Sequence, residues 1–335
     1  MKYILNESPI KTTNGFKVNN VSVDLNVPTN FDFENYESSI NINSEIKHNF
    51  KSNIGLEHET YKNSIINIDK EYDDLIKIVY NFKNTNNLID NIDINIENGL
   101  NINMLLNYST LNNEECFHNG NININIKENS KLNLTIINSF NSTSTNILSG
   151  IVNTSNNAKV TINLIDLKGK TRIYNFRSNT KSNSESNLNN IYIGRENELI
   201  DLNYNYINLE EKSINNIEVQ GVLTDKSVKT FRGTIDFKEG SKKSIGHENE
   251  NCLLLSNECI SKSLPILLCH EEEVDGTHSV SSGKIDKDKL FYLMTRNLSE
   301  LDAKRLIIKS NFNHILNSIP EELRETILNE IDEII

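Results

Sequence analysis

Residues 121–127 read NININIK, and the same alternation of a branched apolar residue with a polar one returns as KLNLTII at 131–137 and KVTINLI at 159–165. Successive side chains of an extended strand point to opposite faces, so each segment has one apolar face and one polar face. A helix would need its apolar residues every three or four positions. Unbroken asparagine tracts are disordered or prone to aggregate. In this chain the asparagines are interleaved with Ile, Leu and Val, and the pattern predicts folded, half-buried strands. Alternation by itself gives no reason for the asparagine excess, for which coding bias is the simplest source.

The strands recur with a period. Glu128-Asn129-Ser130-Lys131 reads as a turn before LNLTI, and Asn156-Asn157-Ala158-Lys159 reads as the same turn before VTINL, 28 residues later. Glu239-Gly240-Ser241-Lys242 reads as a further copy. A turn, a strand, a turn and a strand per period stack as the coils of a β-solenoid, in which each coil buries a narrow apolar stripe against its neighbours. The 335 residues are only 36% hydrophobic and include no Trp, which suits such a thin, elongated core. An antiparallel sandwich would show the same alternation; the fixed offset favours the solenoid.

Near residue 284 the period changes. Asp286 is placed to cap a short helix carrying Leu290, Phe291, Leu293 and Met294. Ser299 with Asp302 resembles a capping box before a stripe of Leu301, Leu306, Ile307, Ile308, Phe312, Ile315 and Leu316. Pro320 suits the first turn of a last helix carrying Leu323, Ile327, Leu328, Ile331, Ile334 and Ile335. This tail is too short to bury its own apolar surface, so it docks on the end of the solenoid, on a partner, or on both. Phe31, Phe33 and Tyr36 are candidates to close the other end, which a solenoid must protect from edge-to-edge pairing. The expected organisation is a mainly β fold: an N-terminal cap over 1–69, a β-helix core over 70–283 and a helical region over 284–335.

Charge and motifs narrow the function. A formal net charge of −12 argues against nucleic acid as a partner, because phosphate binding needs clustered Lys and Arg. No run of roughly 18 apolar residues is present to span a membrane. The start, MKYILNESPIK, lacks the basic and apolar regions of a secretory signal, so the expected location is the cytoplasm and the four cysteines are expected as reduced thiols. Gly169-Lys170-Thr171 resembles the end of a phosphate-binding loop, but Leu164 stands where the first glycine is required and the flanks read as strands. No Rossmann fingerprint and no Gly-x-Ser-x-Gly elbow occur. Cys252, Cys259, Cys269, His270 and His278 gather in the last strands, and thiolate and imidazole suit iron, zinc and copper. Their spacing matches no closed zinc pattern, and each cysteine alone reads as a small buried residue. Stacking of coils could bring Cys252 near His278. The imidazole lies in the polar stretch EEEVDGTHS, whose carboxylates would raise its basicity if close.

Several of these segments together resemble the SufB/SufD family of iron–sulfur cluster assembly scaffolds, and SufD most of all. The resemblance rests on Leu5-Asn6-Glu7-Ser8-Pro9, on Phe231-Arg232-Gly233-Thr234-Ile235, on Asn251-Cys252-Leu253-Leu254-Leu255-Ser256, on Leu264-Pro265-Ile266, on Val274-Asp275-Gly276-Thr277-His278-Ser279, and on LFYL-x-x-R-x-L at Leu290 to Leu298. It is continuous from Phe231 to about Leu316. It implies a non-enzymatic scaffold subunit of the SUF system, paired through its β-helix with a SufB-like chain. A SufC-like ABC-type ATPase would bind the helices through Leu290, Phe291, Tyr292, Leu293, Arg296 and Leu298. His278 matches a family histidine of the cluster site, and Cys252 is a weaker candidate ligand. No cofactor is expected tightly bound to this chain alone, while a nascent cluster would form in the assembled complex. The chain departs from SufB: Ser279 follows the histidine, Glu250 occupies the position of the reactive SufB cysteine, and Gly276 replaces a cysteine found in some SufD chains. A SufB-like homodimer, a second copy taking the partner's place, is the alternative reading. A solenoid enzyme acting on carbohydrate is a remoter one; it would need paired carboxylates on one strand face, for which Glu271 to Glu273 are the candidates.

Overall fold

The computed structural model describes residues 1–335 except Thr13, Asn30, Phe33, Glu34, Asn35 and Ile335, and the side chains of Asn14 and Ile334. Phe33 and Ile335, expected in the cap and in the last helical stripe, thus lie outside the described residues. The alternating segments form strands Phe117–Ile126, Lys131–Ser139, Thr145–Thr154 and Lys159–Lys168, which go alternately to two sheets. Each strand pairs in parallel with the strands one coil before and one coil after it, so Leu132, Leu134 and Ile136 lie beside Val160, Ile162 and Leu164. Among the described residues this yields two nine-stranded sheets, the stacked coils of the expected solenoid. The sheet containing Lys131–Ser139 is covered by helices and the sheet containing Phe117–Ile126 by an N-terminal hairpin; they are named the helix-side and hairpin-side sheets below.

Stacking like on like explains why this sequence accepts the fold. Inward Ile and Leu fill the core, and aromatic rings pile along the axis: Tyr80 on Tyr108 at 4.9 Å between centroids, and Tyr108 on His118 at 4.6 Å. At one corner the chain turns through Asn129, Asn157, Asn183, Lys212 and Lys243, all with φ of 56–59°. A small buried residue follows each: Ser130, Ala158, Ser184, Ser213 and Ser244. Register aligns these five turns, and it corrects the third sequence copy. The matching turn is 242–245, three residues after Glu239-Gly240-Ser241-Lys242, because this coil is longer and takes up its extra residues before the corner. The left-handed conformation disfavours branched side chains. We therefore expect Asn157→Val to lower unfolding free energy by about 1–2 kcal/mol and Asn157→Gly to leave it nearly unchanged, as read from urea midpoints.

Asparagine has a structural use that alternation did not reveal. Asn67, Asn95, Asn125, Asn153 and Asn179 form a column on the hairpin-side sheet, each later Nδ2 donating to the Oδ1 one coil earlier at 2.8–3.1 Å. Asn133, Asn163 and Asn189 repeat the arrangement on the helix-side sheet at 2.8 Å. An amide carries its own donor and acceptor, so identical residues in register satisfy one another. Coding bias is not needed to explain these positions.

The tail folds into α1 (Lys287–Thr295), α2 (Glu300–Leu316) and α3 (Glu321–Ile334), with Asp286 and Ser299 as N-caps. It does not dock on the solenoid end. Ile308, Phe312, Ile315, Leu316, Leu323, Ile327 and Ile331 lie against outward-facing Ile137, Ile165, Ile191 and Ile193, on the flank of the helix-side sheet. Leu301 and Leu306 of the expected stripe are exposed. Among the described residues no helix is long and apolar enough to cross a membrane.

The N-terminal segment does two jobs. Hairpin Lys2–Leu5 with Val21–Asp24 covers Phe117, Ile147 and Ile173 on the hairpin-side sheet. Strands Tyr36–Ser38 and Asn43–Lys51 then pair antiparallel with the first strand of each sheet, and the Tyr36 ring stacks on Tyr80 at 5.8 Å. Antiparallel pairing at both first parallel strands caps that end, with Tyr36 in the role expected of it; Phe31 is half-buried.

Candidate functional site at the open end of the solenoid

The opposite end has no such cover among the described residues. Strands Ile260–Cys269 and Asp275–Lys284 are the outermost strands of the two sheets. Their inward rows form the floor of the open end. Ser261, Ser263, Pro265 and Leu267 stand in register over Lys229, Phe231, Gly233 and Ile235. His278, Val280 and Ser282 stand over Glu248, Glu250 and Cys252. His278 is thus an inward-row residue that is exposed only because no further coil covers it, and it makes no hydrogen bond among the described residues.

The structure separates several residues that the sequence grouped. Cys252 lies across from Ser282, not His278, which leaves the two four positions apart along the strands, or about 13 Å. Cys252 is buried, and burial pushes its thiol up. Cys259 is held by the Ser256 carbonyl at 3.3 Å, and Cys269 is exposed at the end of its strand. His270 faces Asp236 at 3.9 Å. None of Glu271, Glu272, Glu273 and Asp275 pairs with His278: Glu271 accepts from the Gly240 and Glu272 backbone N–H groups, which hold its carboxyl below the usual range. Glu271 to Glu273 occupy a turn, so they are not a carboxylate pair on one strand face. Among the described residues no three His, Cys, Asp or Glu side chains converge on a metal position.

One coil below His278 lies a polar cluster that sequence reasoning missed. Lys229 and Glu250 form an ion pair with both side chains 0% exposed. The ammonium also donates to Ser263 Oγ at 2.9 Å and to the Lys262 carbonyl at 3.3 Å. Tyr192 donates its hydroxyl to Glu250 Oε1 at 3.2 Å, and the Glu250 Oε2 atom has no partner. Glu248, beside Gly233 on the same inward row, has no well-formed hydrogen bond to either carboxylate oxygen. Burial first, and the nearby Glu250 charge second, push Glu248 up to about 8. A signal was present in GHENENC at 246–252, where the inward positions are as polar as the outward ones and the alternation fails.

Helix α1 buries no residue, leaving Phe291 at 68% and Tyr292 at 56% exposure, with Met294 also exposed. Of the residues singled out from the sequence, Leu290, Leu293 and Leu298 are half-buried, and Arg296 reaches the Tyr292 hydroxyl at 3.0 Å. A groove of about 270 Å³ between α1 and α2 is lined by Tyr292, Leu293, Leu306 and Ile307.

The family described as "SUF system FeS cluster assembly, SufBD core domain" matches residues 79–311. The iron–sulfur cluster assembly protein SufD of Bacillus subtilis is 31% identical over 102 residues, 30% of this chain and 23% of the relative. An iron–sulfur cluster assembly SufBD family protein of Pyrococcus horikoshii is 37% identical over 103 residues, 31% of this chain and 23% of the relative. SufD of Escherichia coli is 26% identical over 111 residues, 33% of this chain and 26% of the relative. The aligned stretch thus spans about a quarter of the length of these relatives.

Proposed function

Because the chain belongs to the SufBD core family of the SUF iron–sulfur cluster assembly system, we propose that it is a non-enzymatic, SufD-like scaffold subunit. Its open end pairs with a SufB-like chain, and its terminal helices carry a SufC-like ATPase. The observation that carries this reading is the contrast between the two ends of the solenoid. One ends in antiparallel strands Tyr36–Ser38 and Asn43–Lys51, while at the other the inward row of the last parallel strands, His278 included, stands uncovered among the described residues. Exposed strand edges are templates for pairing with another chain. The SufD-like assignment rests on Glu250, which stands at the reactive-cysteine position of SufB and is an ion-pair partner of Lys229.

His278 is the residue of this chain that contributes to the cluster site. A neutral imidazole can coordinate iron, and a partner seated on the open end would enclose it. We expect His278→Ala to leave the folding of this chain near wild type, since a side chain exposed in the free chain contributes little to stability. Iron and sulfide per anaerobically purified complex should fall; equal loading in both proteins would remove His278 from the site.

The ATPase arm is tested separately. Phe291→Asp with Tyr292→Asp places charge on an exposed apolar patch without touching the core. Co-expression with SufB-like and SufC-like chains should then yield a complex that keeps the SufB-like chain and loses the ATPase on a column. Retention of the ATPase in full would refute α1 as its seat.

A further inference from the structure

We propose that strand Asn43–Lys51 joins two copies of this chain, pairing antiparallel with the same strand of a second copy about a twofold axis at Ile46. The strand lies at the end opposite His278, so the contact leaves the face offered to a SufB-like chain untouched. Asn43–Lys51 is the outermost strand of the hairpin-side sheet, and one of its edges is hydrogen-bonded to Glu57–Ile68. Among the described residues, the backbone of residues 43–50 has no partner on the other edge. Residues 43–46 are exposed, Ile46 at 67%. An edge of this kind is a template for another strand.

The order of side chains selects the partner. Residues directly opposite each other across two strands interact, unlike charges favourably and like charges unfavourably. In an antiparallel pair centred on Ile46, Glu45 of each copy faces Lys47 of the other, Ser44 faces His48, and Ile46 faces itself. Centring on Lys47 would oppose the two lysines, and centring on Glu45 would oppose the two glutamates. A parallel pair in register would set Glu45 beside Glu45 and Lys47 beside Lys47. A shift by a single residue would set outward side chains against inward ones. Of these arrangements, the one centred on Ile46 alone opposes unlike charges on both sides of the axis. Within one chain the two charges serve each other, with Lys47 Nζ 2.8 Å from Glu45 Oε1. Pairing exchanges that contact for two across the axis, so the charges fix the register more than they tighten the contact. Ile46, open to water in the single chain, is covered by its own copy. Asn49, with φ of 63° and no opposite residue in the register with Glu57–Ile68, ends the regular run. The run is short, so the dimer is weak and depends on concentration. It is also closed, since each copy's edge occupies the other's.

Sedimentation of the purified full-length chain over a range of concentrations, without partner proteins, decides the matter. The wild type should pass from monomer to dimer as concentration rises. Lys47→Glu sets two pairs of like charges across the axis and should raise the midpoint concentration by about tenfold or more, and Glu45→Lys should do the same. Glu45→Lys combined with Lys47→Glu should bring the dimer back, because the opposed charges are again unlike. The side chains are exposed, so each variant should keep the wild-type urea midpoint. Ile46→Cys should form a disulfide between copies on mild oxidation, recovered from a digest as residue 46 joined to residue 46. A wild type that stays monomeric throughout overturns the proposal. So does a dimer that survives both single reversals, which would place the contact elsewhere, such as at Ile260–Cys269 and Asp275–Lys284.

Discussion

Arg232→Met should destabilise the protein by about 3–5 kcal/mol, because it strips the countercharge from a fully buried carboxylate. Arg232 is ion-paired with Asp201, with one nitrogen 3.2 Å from Oδ2, and it also donates to the Val18 carbonyl at 3.0 Å. Asp201 in turn accepts from Asn6 Nδ2 at 2.6 Å. The guanidinium therefore sits between the N-terminal segment and the hairpin-side sheet. Its removal should lower the urea midpoint and open residues 1–25 to protease. Burial pushes the Asp201 carboxyl up, and Arg232 is the first of the groups that oppose this. Without Arg232 the carboxyl takes up a proton at higher pH in the folded protein than in the unfolded chain. The loss should accordingly be greatest at neutral pH and shrink on acidification. Arg232→Met with Asp201→Asn should recover part of it, since no lone charge is then buried. A single variant as stable as wild type would refute this account.

Glu248→Gln should stabilise the protein above about pH 5 and flatten its pH profile. The folded-state value of about 8 lies above the ordinary 4.5, so folding takes up a proton between the two. Stability then falls as pH rises through that window and levels off above 8. At about 1.4 kcal/mol per pH unit, the swing across the window is of the order of a few kcal/mol. The amide keeps the shape of the acid without its charge. Urea titrations at a series of pH values should show a downward slope in wild type that is reduced in the variant. Parallel curves would mean that water or a neighbour already satisfies the carboxylate.

The period-two segments made the strands legible, and the 28-residue offset between Lys131 and Lys159 is an actual register pair. The helical tail and the caps at Asp286 and Ser299 were legible too, because local hydrogen bonding decides them. Where the tail docks was not foreseen, although breaks in alternation held the clue. Ile136-Ile137 and Leu164-Ile165 are apolar on both faces, which a strand needs only if both are covered. His278 was singled out by motif and by its polar setting, and it lies on the inward row of the outermost strand. The broken alternation at 246–252 marked the place of the Lys229–Glu250–Tyr192 cluster but not its membership, since its members are spread over 192–250 and meet only when coils stack. The distant motifs at Asn6 and Arg232 likewise meet on Asp201, a relation no linear pattern contains.

The asymmetry of the solenoid's two ends has a consequence for growth. Stacked parallel strands are the geometry of fibrils, in which every added layer recreates the edge it covers. This molecule has lost that capacity at one pole, where Tyr36–Ser38 and Asn43–Lys51 run against the grain of the stack. A body that could extend the parallel stack at one pole only, met there by an equally one-ended body, would close the set at two. The limit on such growth is thus set by the antiparallel strands Tyr36–Ser38 and Asn43–Lys51, at the pole opposite Ile260–Cys269 and Asp275–Lys284.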